Sequence, residues 1–289
     1  MEIEIQIINA FIDGESGGNP AGVVLDADKL SVSQKLKIAT KVGLSETAFV
    51  SSSKSADFKL DFFTPKRQIA HCGHATIATF SYLQQLGRIK KAATSKETID
   101  GNRNIFIDGD MAFMEQMAPS YEEIDRRMDN LISSLGITAH DLIPNNKPFI
   151  VNTGNSFLVV PLKDETTVLS AQPDFEAIHM ISEEFDLIGY YIFSQYTKIP
   201  RRVAGTRMFA PRYGINEESA TGMAAGPLAC YLYDKMGINT EVYLIEQGHL
   251  MKPPLPSVIT VKLNFVNGKI AGLIAGGKAK VIKSLTISI

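Results

Sequence analysis

Phe62-Phe63-Thr64-Pro65-Lys66-Arg67-Gln68-Ile69-Ala70-His71-Cys72-Gly73-His74-Ala75-Thr76 is the stretch whose reading decides the fold. Its pattern predicts a short strand, a proline-marked turn and a helix led in by glycine, running from Ala75 to about Leu86. That helix carries Ile77, Ala78, Phe80, Tyr82 and Leu83 and meets no charged side chain before Arg88. A helix apolar on nearly every side must be buried all round. Its first turn leaves backbone N–H groups unpaired beside Cys72 and His74, where the positive end of the helix favours a carboxylate. Such a helix marks the floor of an active site.

Working outward, the chain rhymes with itself. Gly18-Asn19-Pro20-Ala21-Gly22-Val23-Val24 is echoed by Gly154-Asn155-Ser156-Phe157-Leu158-Val159-Val160. Gly43 to Ser51 is echoed faintly by Asp186 to Ser194, which sets Gly189 opposite Glu46. Phe63-Thr64-Pro65 with Gly73-His74-Ala75 returns as Phe209-Ala210-Pro211 with Gly222-Met223-Ala224. Met114-Glu115-Gln116-Met117 returns as Ile245-Glu246-Gln247-Gly248. Four echoes in one order favour a duplicated domain. The expected halves are 1–120 and 121–289, with the last strand free to return to the first half. The second half has its own buried helix, uncharged from Ser219 to Tyr233, with Pro227 expected near its first turn, where proline is tolerated best. Pro119 to Asn146 reads as a charged helical connection stopped by Gly136. Elsewhere strands dominate: Glu2 to Ile7 alternates, as do Val258 to Leu263 and Ala279 to Ile289, and Asn267-Gly268 is a type I′ hairpin signal.

Composition removes several function classes. With 45% hydrophobic and 21% charged residues, the 289-residue chain has a substantial core. A net charge of −2 gives no reason to expect nucleic acid or an anionic membrane as partner. No basic segment leading into an apolar run opens the chain, and no uncharged stretch is long enough to span a bilayer. Two distant cysteines, Cys72 and Cys230, argue against a disulfide framework, so a cytoplasmic location is expected.

Four groups have chemical potential. Glu46, flanked by Leu44 and Phe49 ahead of a strand, is either a partly desolvated proton carrier or a solvent-facing strand acid. His74, in the first helical turn, is kept neutral by the helix dipole and can exchange a proton, or is merely structural. His71 is expected to face elsewhere. Cys72 gains thiolate stability from the helix end if it reacts, and is otherwise an inert buried thiol. With His140, His179 and His249 at no recognised spacing, no metal site is expected. Glu217 and Glu218 precede the second helix, as a solvated turn or as acids facing Glu46 and His74. GxGxxG, GxxxxGK[ST] and GxSxG are all absent, which removes the commonest nucleotide and hydrolase readings.

Gly18-Asn19-Pro20-Ala21, Leu44-Ser45-Glu46-Thr47-Ala48-Phe49, Phe63-Thr64-Pro65 with Cys72-Gly73-His74-Ala75-Thr76, and Phe209-Ala210-Pro211 with Ala220-Thr221-Gly222 together resemble the phenazine-biosynthesis PhzF-like family. The resemblance implies an α+β diaminopimelate-epimerase-like fold: two similar domains, each a curled, mostly antiparallel sheet around a buried central helix, with the active site in the cleft between them. It implies isomerisation of trans-2,3-dihydro-3-hydroxyanthranilate without cofactor, by moving a proton within the substrate, and a homodimer. The family's catalytic glutamate and histidine match Glu46 and His74. Its second motif, Glu-Asp-Pro-Ala-Thr-Gly-Ser, puts an acid at Glu218 and a serine where Met223 stands, so a different small carboxylate substrate is expected. Asn19, Gly73, Ala75, Thr221, Gly222 and Met223 fall at substrate-binding positions. The related epimerases use two cysteines; Cys72 matches the first, and Ala220 falls about where the second would lie. The alternatives are an amino-acid racemase or epimerase using Cys72, and a non-catalytic binder of small acids.

Overall fold

The computed structural model describes residues 1–289. The chain divides into two compact units, Met1–Glu115 with Gly276–Ile289, and Gln116–Ala275. The division therefore falls at 115/116 and not at 120/121. The C-terminal segment goes with the first unit because it pairs antiparallel with the first strand, from Ala10 opposite Ala279 to Glu2 opposite Ser288.

In the first unit come β1 (Glu2–Ala10), β2 (Asn19–Val24), α1 (Val32–Val42), β3 (Thr47–Ser51), β4 (Phe58–Phe63), β5 (Gln68–Ile69), α2 (Gly73–Gln85), β6 (Ala93–Thr98), β7 (Gly101–Asp108) and β8 (Met111–Met117). Ser31 starts α1 with a reciprocal capping box to Gln34, and Gly43 ends it at φ +70°. The apolar stripe of α1, Ile38 and Ala39, packs with Ile5, Ile7, Val24, Phe49 and Phe63. Helix α2 packs against β1, β2, β3 and β7. It begins at Gly73, two residues before the expected Ala75, because Cys72 is extended (φ −147°, ψ 123°) while its carbonyl already accepts the Thr76 N–H. Ten of its thirteen residues are buried, which makes it a core element. The hydroxyls that come with it stay satisfied: Thr76 donates to the Cys72 carbonyl (2.6 Å) and Thr79 to the Ala75 carbonyl (2.7 Å).

In the second unit come β9 (Ser120–Glu123), α3 (Met128–Ser134), β10 (Phe149–Asn152), β11 (Ser156–Pro161), α4 (Glu165–Ser170), α5 (Phe175–Glu184), β12 (Gly189–Ser194), β13 (Ala204–Ala210), β14 (Ile215–Glu218), α6 (Gly222–Asp234), β15 (Tyr243–Gln247), β16 (Ser257–Val266) and β17 (Lys269–Ser288), whose far end lies in the first unit. The expected helix over Tyr121 to Met128 is not formed. Those residues open as β9, paired with β10, and the Tyr121 hydroxyl donates to Asp234 (2.5 Å) with the Cys230 carbonyl 3.2 Å away. Only Met128–Ser134 is helical, and Gly136 at φ +65° ends it as expected. Helix α6 is also buried at ten of thirteen positions. It starts at Gly222, so Pro227 falls in its second turn, not its first, and removes one helical N–H there. Asn267 (φ +52°) and Gly268 (φ +75°) form the hairpin between β16 and β17, as their dipeptide signalled.

The two units repeat one pattern of pairing. In the first, β1–β2, β3–β4 and β6–β7 are antiparallel, and β2–β3 and β4–β6 are parallel. In the second, β10–β11, β12–β13 and β15–β16 are antiparallel, and β11–β12 and β13–β15 are parallel. Register then aligns the copies: Thr47 opposes Phe63 in one, and Tyr190 opposes Phe209 in the other. Gly189 thus holds the place of Glu46. No side chain fits there, because a Cβ on Gly189 would strike the Phe209 carbonyl and Ala210. We expect Gly189→Ala to lower the free energy of unfolding by about 1–3 kcal/mol in urea titrations; a variant as stable as the parent would contradict this register.

Candidate active site

Glu46 lies just before β3, its carbonyl tied to the Gly22 N–H (3.1 Å) by the β2–β3 pairing. A glycine is needed at 22, where a Cβ would press on the Thr47 side chain. This bend turns the Glu46 side chain inward, so that it is only 12% exposed, and brings Oε2 to 3.3 Å from His74 Nε2. The two are within ion-pair distance but off the alignment of a good hydrogen bond. On the other side of the ring, His74 Nδ1 lies 3.6 Å from Cys72 Sγ. Cys72 is the N-cap and His74 the second residue of α2, so the helix start itself fixes both. Carboxylate, imidazole and thiol form one row, with donor atoms within 4.8 Å of one another. Three donors fall one short of a closed structural zinc site and equal the number at an open catalytic one, a grouping that the spacing in sequence did not show. Gly73 and Ala75 are buried in the same turn, and Asn19 is buried at the start of β2 opposite Ala10.

Behind the row stands a residue the sequence did not single out. Lys96, on β6, is fully buried. Its Nζ lies 2.7 Å from Thr76 Oγ1, 3.4 Å from His71 Nδ1, 3.9 Å from Met114 Sδ and 5.2 Å from the centre of the Phe62 ring. Burial pulls its pKa from 10.5 down to about 7, with the Cys72 charge pulling the other way. Burial, then the Lys96 charge, holds His71 down to about 3, so that imidazole is neutral. His71 therefore serves a different neighbour from His74.

In the second unit the equivalent helix start is built from hydrogen bonds among a hydroxyl, amides and the Glu218 carboxylate. Thr221 is the N-cap of α6, as Cys72 is of α2; the residue matching Cys72 is therefore Thr221, not Ala220. Its hydroxyl donates to Glu218 Oε2 (2.5 Å), and its N–H donates to Gln247 Oε1 (3.0 Å). Gln247 returns a bond from Nε2 to the Glu218 carbonyl (2.7 Å) and accepts from the buried Tyr191 hydroxyl (2.9 Å). Gln116 Nε2 donates to the Gly222 carbonyl (2.9 Å), and Thr153 donates to Gln116 Oε1 (2.7 Å). Met223 offers its sulfur to Asn155 Nδ2 at 3.5 Å, a weak acceptor where a serine would do more. Glu217 is not part of this group: Arg207 holds it in a two-point ion pair (2.8 and 2.9 Å). Sequence reasoning passed over Gln116, Asn155 and Gln247, although two of the four internal echoes contain them.

Lys96 makes stability depend on pH. A base whose pKa is lowered by folding binds its proton more weakly in the native state, so stability is lost as pH falls from about 10.5 to about 7. Buried Cys230, pushed up to about 12, acts oppositely on the alkaline side. The comparison with Lys96→Met cancels that second effect. We expect the advantage of Lys96→Met in unfolding free energy to grow as pH is lowered from 10 to 7, by on the order of 1 kcal/mol per pH unit. A constant difference across that range would contradict the environment described.

Comparison with known proteins places this geometry. The family profile named phenazine biosynthesis-like protein, PhzC-PhzF, matches residues 8–283. A Clostridium acetobutylicum protein named an uncharacterized isomerase is 33% identical over 78% of this chain and 77% of its own. YddE of Escherichia coli O157:H7, also named an uncharacterized isomerase, is 31% identical over 80% of each chain. The crystal structure of a Bacillus anthracis phenazine biosynthesis protein of the PhzF family superimposes with a TM-score of 0.90, at 26% identity and full coverage of both chains. A hydroxyproline epimerase from Agrobacterium vitis shares the fold at a TM-score of 0.59 and 11% identity, covering 100% of this chain and 93% of that one. The chain belongs to the PhzC-PhzF family of phenazine biosynthesis-like proteins, with a fold shared by the proline-epimerase type.

Proposed function

We propose that this protein is an isomerase that moves a proton within a small carboxylic acid without a cofactor. The observation that carries the reading is the Glu46–His74 contact of 3.3 Å, mostly shielded from water, at the first turn of a buried helix. The names of its relatives agree with the reaction class.

Glu46 takes a proton from an activated carbon of the substrate, and the electron pair left behind spreads toward the substrate carboxylate. Delivery of the proton to a second carbon completes the reaction, with no net gain or loss of atoms. His74, in contact with Glu46, relays that proton. The first-turn N–H groups at Gly73 and Ala75 favour the developing negative charge, a role suited to a helix start. The reading assigns Asn19 to substrate contact, Glu218 to positioning, and Thr221, Gly222 and Met223 to binding. Met223 in place of a serine is the reason to expect a substrate other than the family's dihydro-hydroxyanthranilate. A racemase working with two thiols is not favoured, because Thr221 occupies the position equivalent to Cys72 and its hydroxyl is engaged by Glu218.

The test is hydrogen exchange. In heavy water, with a panel of small unsaturated, hydroxylated and amino carboxylic acids, the parent protein is expected to place deuterium on carbon in at least one compound, read by mass spectrometry. Glu46→Gln should cut that exchange about 10²–10⁴-fold with its circular dichroism unchanged. Undiminished exchange would remove Glu46 from the role. Glu218→Gln is expected to raise KM more than it lowers kcat.

A further inference from the structure

We propose that Lys96 is a positioning residue for the helix-start site, its buried ammonium holding the Cys72 cap in place through Thr76 and supplying the positive charge that favours the Cys72 thiolate. The geometry carries this. Thr76 spends its only hydroxyl hydrogen on the Cys72 carbonyl (2.6 Å), so toward Lys96 Nζ at 2.7 Å its oxygen can only accept. His71 is neutral, and its Nδ1, 3.4 Å away, accepts when the ring hydrogen sits on Nε2. Met114 Sδ is a weak acceptor, and the Phe62 ring presents its face to cations. Every partner of Nζ is an acceptor or a π-face, a setting made for three N–H donors. None is a carboxylate. The charges that act on Lys96 come from three elements: Cys72 at the start of α2, Asp100 between β6 and β7, and Arg103 on β7. Cys72 is the strongest of them and favours the ammonium. Coupling is reciprocal, so the ammonium favours the thiolate by as much.

The consequence reaches Glu46. A thiolate 3.6 Å from His74 Nδ1 draws the ring hydrogen to that nitrogen. Nε2, 3.3 Å from Glu46 Oε2, is then left open to take the proton that Glu46 collects. Only this step rests on the proposed isomerisation; the Lys96–Cys72 coupling does not.

Two titrations test the coupling without turnover. The first is thiolate absorbance near 240 nm, read as the difference from Cys72→Ala so that Cys230 and the tyrosines cancel. Lys96→Met is expected to raise the Cys72 midpoint by about one pH unit, and Lys96→Arg to bring it back toward the parent value. An unmoved midpoint in folded Lys96→Met would overturn the proposal. The second needs no change at Lys96. With ¹³Cε-labelled lysine, one resonance should titrate well below the rest in the parent protein. In Cys72→Ala, where no thiolate can form, that midpoint should fall further; the same midpoint in both proteins would overturn the proposal. If the couplings appear while Glu46→Gln leaves exchange intact, the isomerase mechanism fails and the Lys96 role stands.

Discussion

A helix walled in by sheet can give only its ends to chemistry. Along α2 the backbone is paired with itself, and Thr76 and Thr79 return their hydroxyls to carbonyls of the same helix. Its flanks are shielded from solvent, ten of thirteen residues being buried. The first turn is different, since its N–H groups have no helical partners. Whatever stands there feels the positive end of the dipole in a medium that screens it poorly. Cys72 and His74 are at that end because they are the cap and the second residue, and Glu46 meets them because the β2–β3 pairing ends beside it. The place of this cluster follows from the burial of the helix.

Duplication supplied two such helix starts, and the copies have diverged in chemical type. The first unit reads Cys72-Gly73-His74 where the second reads Thr221-Gly222-Met223, each beginning at the cap. Glu46 has Gly189 as its counterpart, held to glycine by the carbonyl of Phe209. One start is thus equipped with groups that change charge. The other is fixed by amides and hydroxyls, with Gln247 bridging Thr221 and Glu218, and Gln116 bonded to Gly222. The repeated pattern thus carries its row of titratable groups in the first unit.

What the sequence discloses follows the same physics. Both central helices are legible because a long uncharged run has nowhere to go but the core, and the four echoes foreshadow the repeated pairing pattern. His74 stands out in the sequence because a reactive side chain beside glycine at a helix start is unusual company, and Glu46 because it is flanked by Leu44 and Phe49 and matches the family motif. Tyr121 to Met128 misleads: its spacing suits a helix, but pairing with β10 and the Tyr121–Asp234 hydrogen bond outweigh a propensity worth tenths of a kcal/mol per residue. The Ala220 assignment failed by one position because counting from a motif cannot locate the cap, which backbone geometry fixes at Thr221. Lys96 is invisible for a different reason. In Ala93-Thr94-Ser95-Lys96-Glu97-Thr98 a lysine looks like one more residue on a wet strand face, and only the fold shows that this face is turned inward.

That burial has to be explained energetically. An ammonium taken out of water loses several kcal/mol of hydration, and neutral acceptors restore only part of it. A methionine in the same place would fill a similar volume at no such cost. Several surface lysines have carboxylate partners, as Lys147 has Glu123 and Lys163 has Asp141, and they stay largely in water. Lys96 instead has a hydroxyl, an imidazole, a thioether and a ring. Asp100 between β6 and β7 acts on it from a distance, and the stronger balancing anion is at the helix start, as the Cys72 thiolate. A buried cation that lacks a permanent counter-ion raises the energy of the resting site and lowers that of a state carrying negative charge beside it. Preorganised charge of this kind assists catalysis because its cost is met when the protein folds, before any substrate arrives.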